Sequence, residues 1–175
     1  MFGARSRSRM LVIVAALVAI AVGVVLGVTL SGGTSGPTKA QYVVKADAIC
    51  KTAKTRTTPL IREIAASVAS LEGGSGNVQA LATLVDRLHT EAAADLARLR
   101  ALAQPSGDHA AIERFLQPLT SVVDAMGKAV SALRGGQPLQ AVGLLQQMQS
   151  TAQQFTSAAQ GYGVTQCSQL LSALG

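Results

Sequence analysis

HAAIERFLQPLTSVVDAMGKAVSAL, residues 109–133, decides the fold class. Its apolar residues, Ile112, Phe115, Leu116, Leu119, Val122, Val123, Met126, Val130 and Leu133, return every three to four positions. That spacing places them on one stripe of a helix, with charged and small polar residues on the other side. Pro118 falls inside the stretch and predicts a bend, and Asp108 stands where an N-cap belongs. Working outward, Gln104-Pro-Ser-Gly107 and Gly135-Gly-Gln-Pro138 punctuate the two ends.

The same period recurs on both sides. Before it, a helix is predicted from Val78 to about Ala103, with Leu81, Leu84, Val85, Leu88, Ala92, Leu96, Leu99 and Leu102 as its stripe and Asn77 as its cap. Earlier still, Lys39 to Leu71 reads as a helix whose inner face is Tyr42, Ala46, Ile49, Cys50, Ala53, Leu60, Ile61, Ile64, Val68 and Leu71. Pro59 predicts a kink or short break near Thr57 and Thr58. Glu72-Gly-Gly-Ser-Gly76 closes this helix; it lacks the strand and lysine of a phosphate loop and reads as a turn. On the far side, Leu139 to about Gln160 carries Ala141, Val142, Leu145, Met148, Ala152, Phe155 and Ala159, with Gly161 as the stop and a short helix expected near Ser168 to Leu174. Nothing alternates with the period of a strand. The expected fold is all-α, an antiparallel four-helix bundle with short loops, over residues 39–175.

The chain has 175 residues, and its N-terminal part is of a different kind. Leu11 to Leu30 contains no charge, follows Arg5, Arg7 and Arg9, and precedes a neutral stretch that lasts until Lys39. Twenty such residues match the length of a helix across a bilayer. The arginines mark the cytoplasmic side, so the C-terminal domain is expected outside the cell membrane. The reading is residues 1–9 as a basic cytoplasmic tail, 10–30 as a transmembrane signal anchor, 31–38 as a flexible linker and 39–175 as an extracytoplasmic bundle. A cleaved secretory signal would carry a shorter apolar core and a small-x-small site at its end. The linker, as a Gly/Ser coil, spans roughly 16 Å. Ala15, Ala19, Gly23 and Gly27 share one face of the predicted span. They fit either a homodimer through the membrane helix or the ordinary abundance of small residues in such helices.

Of the net charge of +6, three charges are the N-terminal arginines; residues 39–175 hold twelve basic and nine acidic side chains. That excess is far below a nucleic-acid footprint. Aromatics make up 3% with no Trp, which argues against base-stacking surfaces. The first bundle helix is locally basic, with Lys39, Lys45, Lys51, Lys54, Arg56 and Arg62 against Asp47 and Glu63. These residues are candidate contacts to anionic headgroups or an acidic envelope polymer. The alternative is a solvated face with Asp47 paired to Lys51. Arg87, Glu91, Asp95 and Arg98 read as a charge-laced face of the second helix.

No catalytic, cofactor-binding or metal-binding constellation emerges. His89 and His109 belong to no Glu-x-x-His, H-E-x-x-H or C-x-x-C-H pattern, and His109 with Glu113 offers two ligands at most. Cys50 and Cys167 form no C-x-x-C motif. An antiparallel bundle brings the end of its fourth helix beside the start of its first, and an extracytoplasmic compartment oxidises paired thiols. A Cys50–Cys167 disulfide is therefore expected, worth up to about 4–5 kcal/mol; two separate buried thiols are the other arrangement.

Ala46-Asp-Ala-Ile-Cys50-Lys-x-Ala-x-x-Arg56 and Gly161-Tyr-Gly-Val-Thr-Gln-Cys167 resemble the motifs of small actinobacterial envelope proteins. Those proteins share an anchor or signal, a helical domain, an early Ala-Ile-Cys and a late Tyr-Gly-x-x-x-Cys. The resemblance implies that Cys50 and Cys167 pair, and it implies no activity. The function expected is a non-catalytic binding or scaffolding module at the cell envelope, partnered by the membrane and an unidentified envelope protein or anionic polymer. The rival is a small-ligand sensor or carrier with an apolar cavity lined by Phe115, Met126, Met148 and Phe155.

Overall fold

A computed structural model describes residues 36–170. Among them every regular element is helical: α1 (Lys39–Glu72), α2 (Val78–Arg100), α3 (His109–Arg134), α4 (Pro138–Tyr162) and the single-turn α5 (Thr165–Ser168). The predicted anchor at 10–30, with Ala15, Ala19, Gly23 and Gly27, lies outside the described residues, as does most of the linker. Within the described residues no helix is long and apolar enough to cross a membrane.

Local chemistry explains where the helices begin and end. Thr38 opens α1 with a reciprocal capping box: the Gln41 N–H donates to the Thr38 hydroxyl oxygen, and the Thr38 N–H donates to Gln41 Oε1. Asn77 Oδ1 accepts from the N–H groups of Gln79 and Ala80 at the start of α2. Pro138 occupies the first turn of α4, where no N–H is needed. The α4 helix continues past Gly161 to Tyr162, and Gly163 ends it in the left-handed region at φ 101°. In the α1–α2 turn a side chain at Gly76 would sit within 2.5 Å of the Leu71 backbone, so only glycine fits.

Of the kink or short break expected at Pro59, the break is absent: α1 runs for 34 residues with Pro59 inside it. Pro59 and Thr55 are both exposed, so the Thr55 carbonyl that loses its N–H partner points to water. The hydroxyls of Thr52, Thr55, Thr57 and Thr58 donate back to carbonyls one turn earlier, which satisfies these polar groups within the helix. The α2 helix stops at Arg100, ahead of the expected Ala103. A single helical turn forms at Thr165–Ser168, and most of the tail helix expected near Ser168 to Leu174 lies outside the described residues.

Consecutive helices pack antiparallel. Arg56 of α1 meets Asp95 of α2, Arg134 at the end of α3 meets Asp86 early in α2, and Phe115 early in α3 meets Phe155 late in α4. The core has two parts. The larger gathers Tyr42, Cys50, Leu99, Ile112, Phe115, Leu116, Val122, Phe155, Val164 and Cys167 from all five helices and the turn before α5. The smaller joins Leu81, Ala82, Val85, Ala129, Val130, Leu133 and Ala141 at the opposite end. The periodic stripes of α1, α2 and α3 are the buried or half-buried ones. The α4 stripe differs. Ala141, Met148, Ala152, Phe155, Ala159 and Tyr162 are buried, whereas Val142 and Leu145 are 50% and 40% exposed. The reason is that α4 lies chiefly against α3 and offers the core only a narrow seam.

Candidate functional site

The first half of α1 is tied to α5, the single turn that follows α4, by a disulfide and by hydrogen bonds. Gly163 turns the chain, Val164 is fully buried, and α5 lies across the first turns of α1. Asp47 of α1 holds α5 from below: its carboxylate accepts from the Gln166 N–H at 2.7 Å and from the Thr165 hydroxyl at 3.2 Å. It therefore caps α5 and is not the surface partner of Lys51. One residue further, Cys167 is bonded to Cys50, with both sulfurs buried and the Cα atoms 4.9 Å apart.

Beside the disulfide lies an aromatic cluster. The Tyr42 and Tyr162 rings meet edge-on at 5.9 Å, and Phe115 packs against both Tyr162 and Phe155. The Tyr162 hydroxyl donates to Asp108 at 2.8 Å. Asp108 thus makes no capping hydrogen bond to α3, as the sequence suggests it would; its carboxylate receives Tyr162 instead. Burial, and then the Asp108 carboxylate, raise the Tyr162 hydroxyl above the usual tyrosine range. Burial, and to a lesser degree the negative charge of Glu113, push Tyr42 up to about 12. The Tyr42 hydroxyl is fully buried and has no hydrogen-bond partner among the described residues. Lys39 places its ammonium 4.5 Å from the Tyr162 ring centre, a cation–π contact.

The second polar feature is a buried carboxylate between α1 and α2. Asp95 is 5% exposed and accepts from Arg56 at 2.6 and 2.8 Å and from Arg98 at 2.7 Å, while Glu91 stands 3.5 Å from Arg56. The Asp95 hydrogen bond, with the charges of Asp95 and Glu91, holds Arg56 more firmly protonated than usual. Arg56 is thereby committed to an interhelical ion pair. Of the basic residues singled out in the sequence, Lys39, Lys45, Lys51, Lys54 and Arg62 remain on the exposed side of α1. On sequence Asp95 reads as part of a charge-laced, solvated face of α2; the Arg98 pair on that face forms, but Asp95 is buried, as its position beside Leu96 and Leu99 could have signalled.

Two concavities among the described residues bear on ligand binding. A partly open apolar cavity of about 40 Å³ lies between α1, α2 and α3, bounded by Cys50, Ala53, Thr57, Ile61, Leu88, Ala92, Asp95, Leu99, Leu119, Val122, Met126 and Leu170. It has room for a water molecule or two, an order of magnitude below the volume of a small-molecule site. Of the four residues expected to line a ligand cavity, only Met126 touches it; Phe115, Met148 and Phe155 are packed in the core. A solvent-open groove of about 590 Å³ runs past His89, Asp124, Gly127, Lys128, Ser131, Ala132, Gln137 and Gln140. Among the described residues no three of His, Cys, Asp and Glu converge as metal ligands, and His109 and Glu113 are not brought together with a third.

The last feature is an exposed strip. Leu139, Val142 and Leu145 of α4 are 87%, 50% and 40% exposed, and Val44 of α1 is 69% exposed. No protein-family model, curated protein or solved structure matches the chain.

Proposed function

We propose that this chain is a single-pass membrane protein anchored by Leu11–Leu30, whose disulfide-tied helical domain lies outside the cytosol. There it acts as a non-catalytic binding or scaffolding module of the cell envelope. The observation that carries the reading is the Cys50–Cys167 bond, which joins the only two cysteines of the chain. Such bonds persist in oxidising compartments, and the arginines before the apolar run point the same way. The layout shared with actinobacterial envelope proteins agrees with it. The packed core and the apolar strip on α4 favour docking over ligand carriage, because a carrier needs several hundred Å³ of enclosed space. Lys39, Lys45, Lys51, Lys54 and Arg62 are its contacts to anionic headgroups or polymer, at about 1 kcal/mol per residue near a charged surface.

The test is fractionation of cells expressing the full chain, with thiol labelling before and after reduction. The expected result is a membrane-bound protein that resists alkaline extraction and binds the label only after reduction. A soluble protein with both thiols reactive in the native cell would overturn the reading.

A further inference from the structure

All charge in the folded domain lies before α4. Residues 135–175 contain no Asp, Glu, Lys, Arg or His, whereas residues 39–134 carry twelve basic and nine acidic side chains. The outer side of α4 is therefore an uncharged surface on a charged domain. Its exposed residues include Leu139, Val142, Gln146, Gln149, Gln153 and Gln160. These follow one another at spacings of three and four, apart from the last, which lies seven further on. At 3.6 residues per turn they form one straight seam along a helix about 37 Å long. Gln140, Gln147 and Gln154 are equally exposed but lie roughly 120° away around the same helix.

We propose that this seam pairs α4 with α4 of a second copy, in parallel and in register. The inference rests on the anchoring proposed above, since two chains entering from one membrane relate by a two-fold axis that sets like residues opposite each other. Every side chain of the seam tolerates meeting itself. Leu139 and Val142 pack on their own copies, and a glutamine amide both donates and accepts, so each pair of glutamines completes a hydrogen bond. A lysine or glutamate there would repel its twin, and none is present. The α1, α2 and α3 surfaces carry a net positive charge and cannot meet their own copies as cheaply. A single helix face buries less than the roughly 800 Å² per partner of a stable interface. Membrane tethering supplies the missing affinity by raising the effective concentration to the millimolar range.

Single cysteines at Val142, Gln149 and Gln153 in the full-length, membrane-embedded chain test this, with Gln147 and Gln154 as controls. The native cysteines are already bonded, so each variant offers one free thiol. All five positions are exposed, so folding is not at stake. Mild oxidation should yield a species of twice the chain mass at 142, 149 and 153, severalfold above 147 and 154. Adding Val142→Lys to the Gln149→Cys chain should remove most of it. No dimer, equal dimer at all five positions, or a product of another mass would each overturn the pairing. Fractionation of the same cells separates the causes: a membrane-bound chain without dimer sinks the seam alone, and a soluble chain sinks the anchoring as well.

Discussion

Reduction of the Cys50–Cys167 bond should cost the folded domain about 5 kcal/mol. The bond joins residues 117 positions apart. Closing a loop of that length lowers the entropy of the unfolded chain by an amount worth about 5 kcal/mol at 25 °C. The folded state loses little in exchange. Both sulfurs stay buried, and Asp47 still caps α5 through its two hydrogen bonds. Against a typical total of about 5–15 kcal/mol, the loss is a large fraction of stability. Urea unfolding of the full chain in mild detergent, followed by helical circular dichroism with and without reductant, measures it. The midpoint should fall, and the dependence on urea should steepen because the reduced unfolded chain exposes more surface. Reduction is preferred to substitution because it removes no atoms from the core, so no cavity cost enters. A loss below about 1 kcal/mol with an unchanged urea slope would refute the argument that the bond acts on the unfolded chain.

Asp95→Ala should destabilise by about 2–4 kcal/mol, since it leaves Arg56 and Arg98 facing each other with only Glu91 near; a loss under about 1 kcal/mol in equilibrium unfolding would mean that water already screens the cluster. The two touching tyrosines should respond with opposite signs. Tyr42→Phe removes a buried hydroxyl that has no partner and should stabilise by about 1 kcal/mol, whereas Tyr162→Phe loses the bond to Asp108 and should destabilise by about 1–2 kcal/mol. Both tyrosines have folded-state values raised above 10, so their contribution is intact below pH 10 and is lost as pH rises, through about 12 for Tyr42. That loss reaches up to about 3 kcal/mol for Tyr42, and alkaline unfolding curves of Tyr42→Phe should be flatter by this amount. An unchanged alkaline limb would show that Tyr42 titrates as in water.

The helices were legible because burial on one side repeats every 3.6 residues, and a single sequence displays that period directly. The disulfide was legible for a related reason: an up-and-down helical chain brings its end back toward its start, here through the Gly163 turn that lays α5 on α1, and the sequence holds only two cysteines to pair. What the sequence hid is the partner of each polar group. Asp47 has Lys51 one turn away and reads as its mate, yet the chain returning from Gly163 delivers two better donors. Asp108 stands in a capping position, yet Tyr162, more than fifty residues later, takes its carboxylate. Arg56 resembles its basic neighbours on α1 until α2 places Asp95 opposite. Each is a long-range match between groups that elsewhere would be solvated, and no local pattern encodes it.

The α4 helix exposes the complementary limit. Its apolar positions are too many for the narrow seam that α3 offers, so periodicity alone assigned Val142 and Leu145 to a core that has no place for them. Three-dimensional packing separates the residues that fold the domain, Met148, Ala152, Phe155 and Ala159, from those that remain outside. Burial of Val142 and Leu139 at another surface would recover about 25 cal/mol per Å² of apolar area, which monomer folding leaves unused. The rest of the outer side is glutamine and serine, which water solvates well, so the unused apolar area is confined to these few side chains.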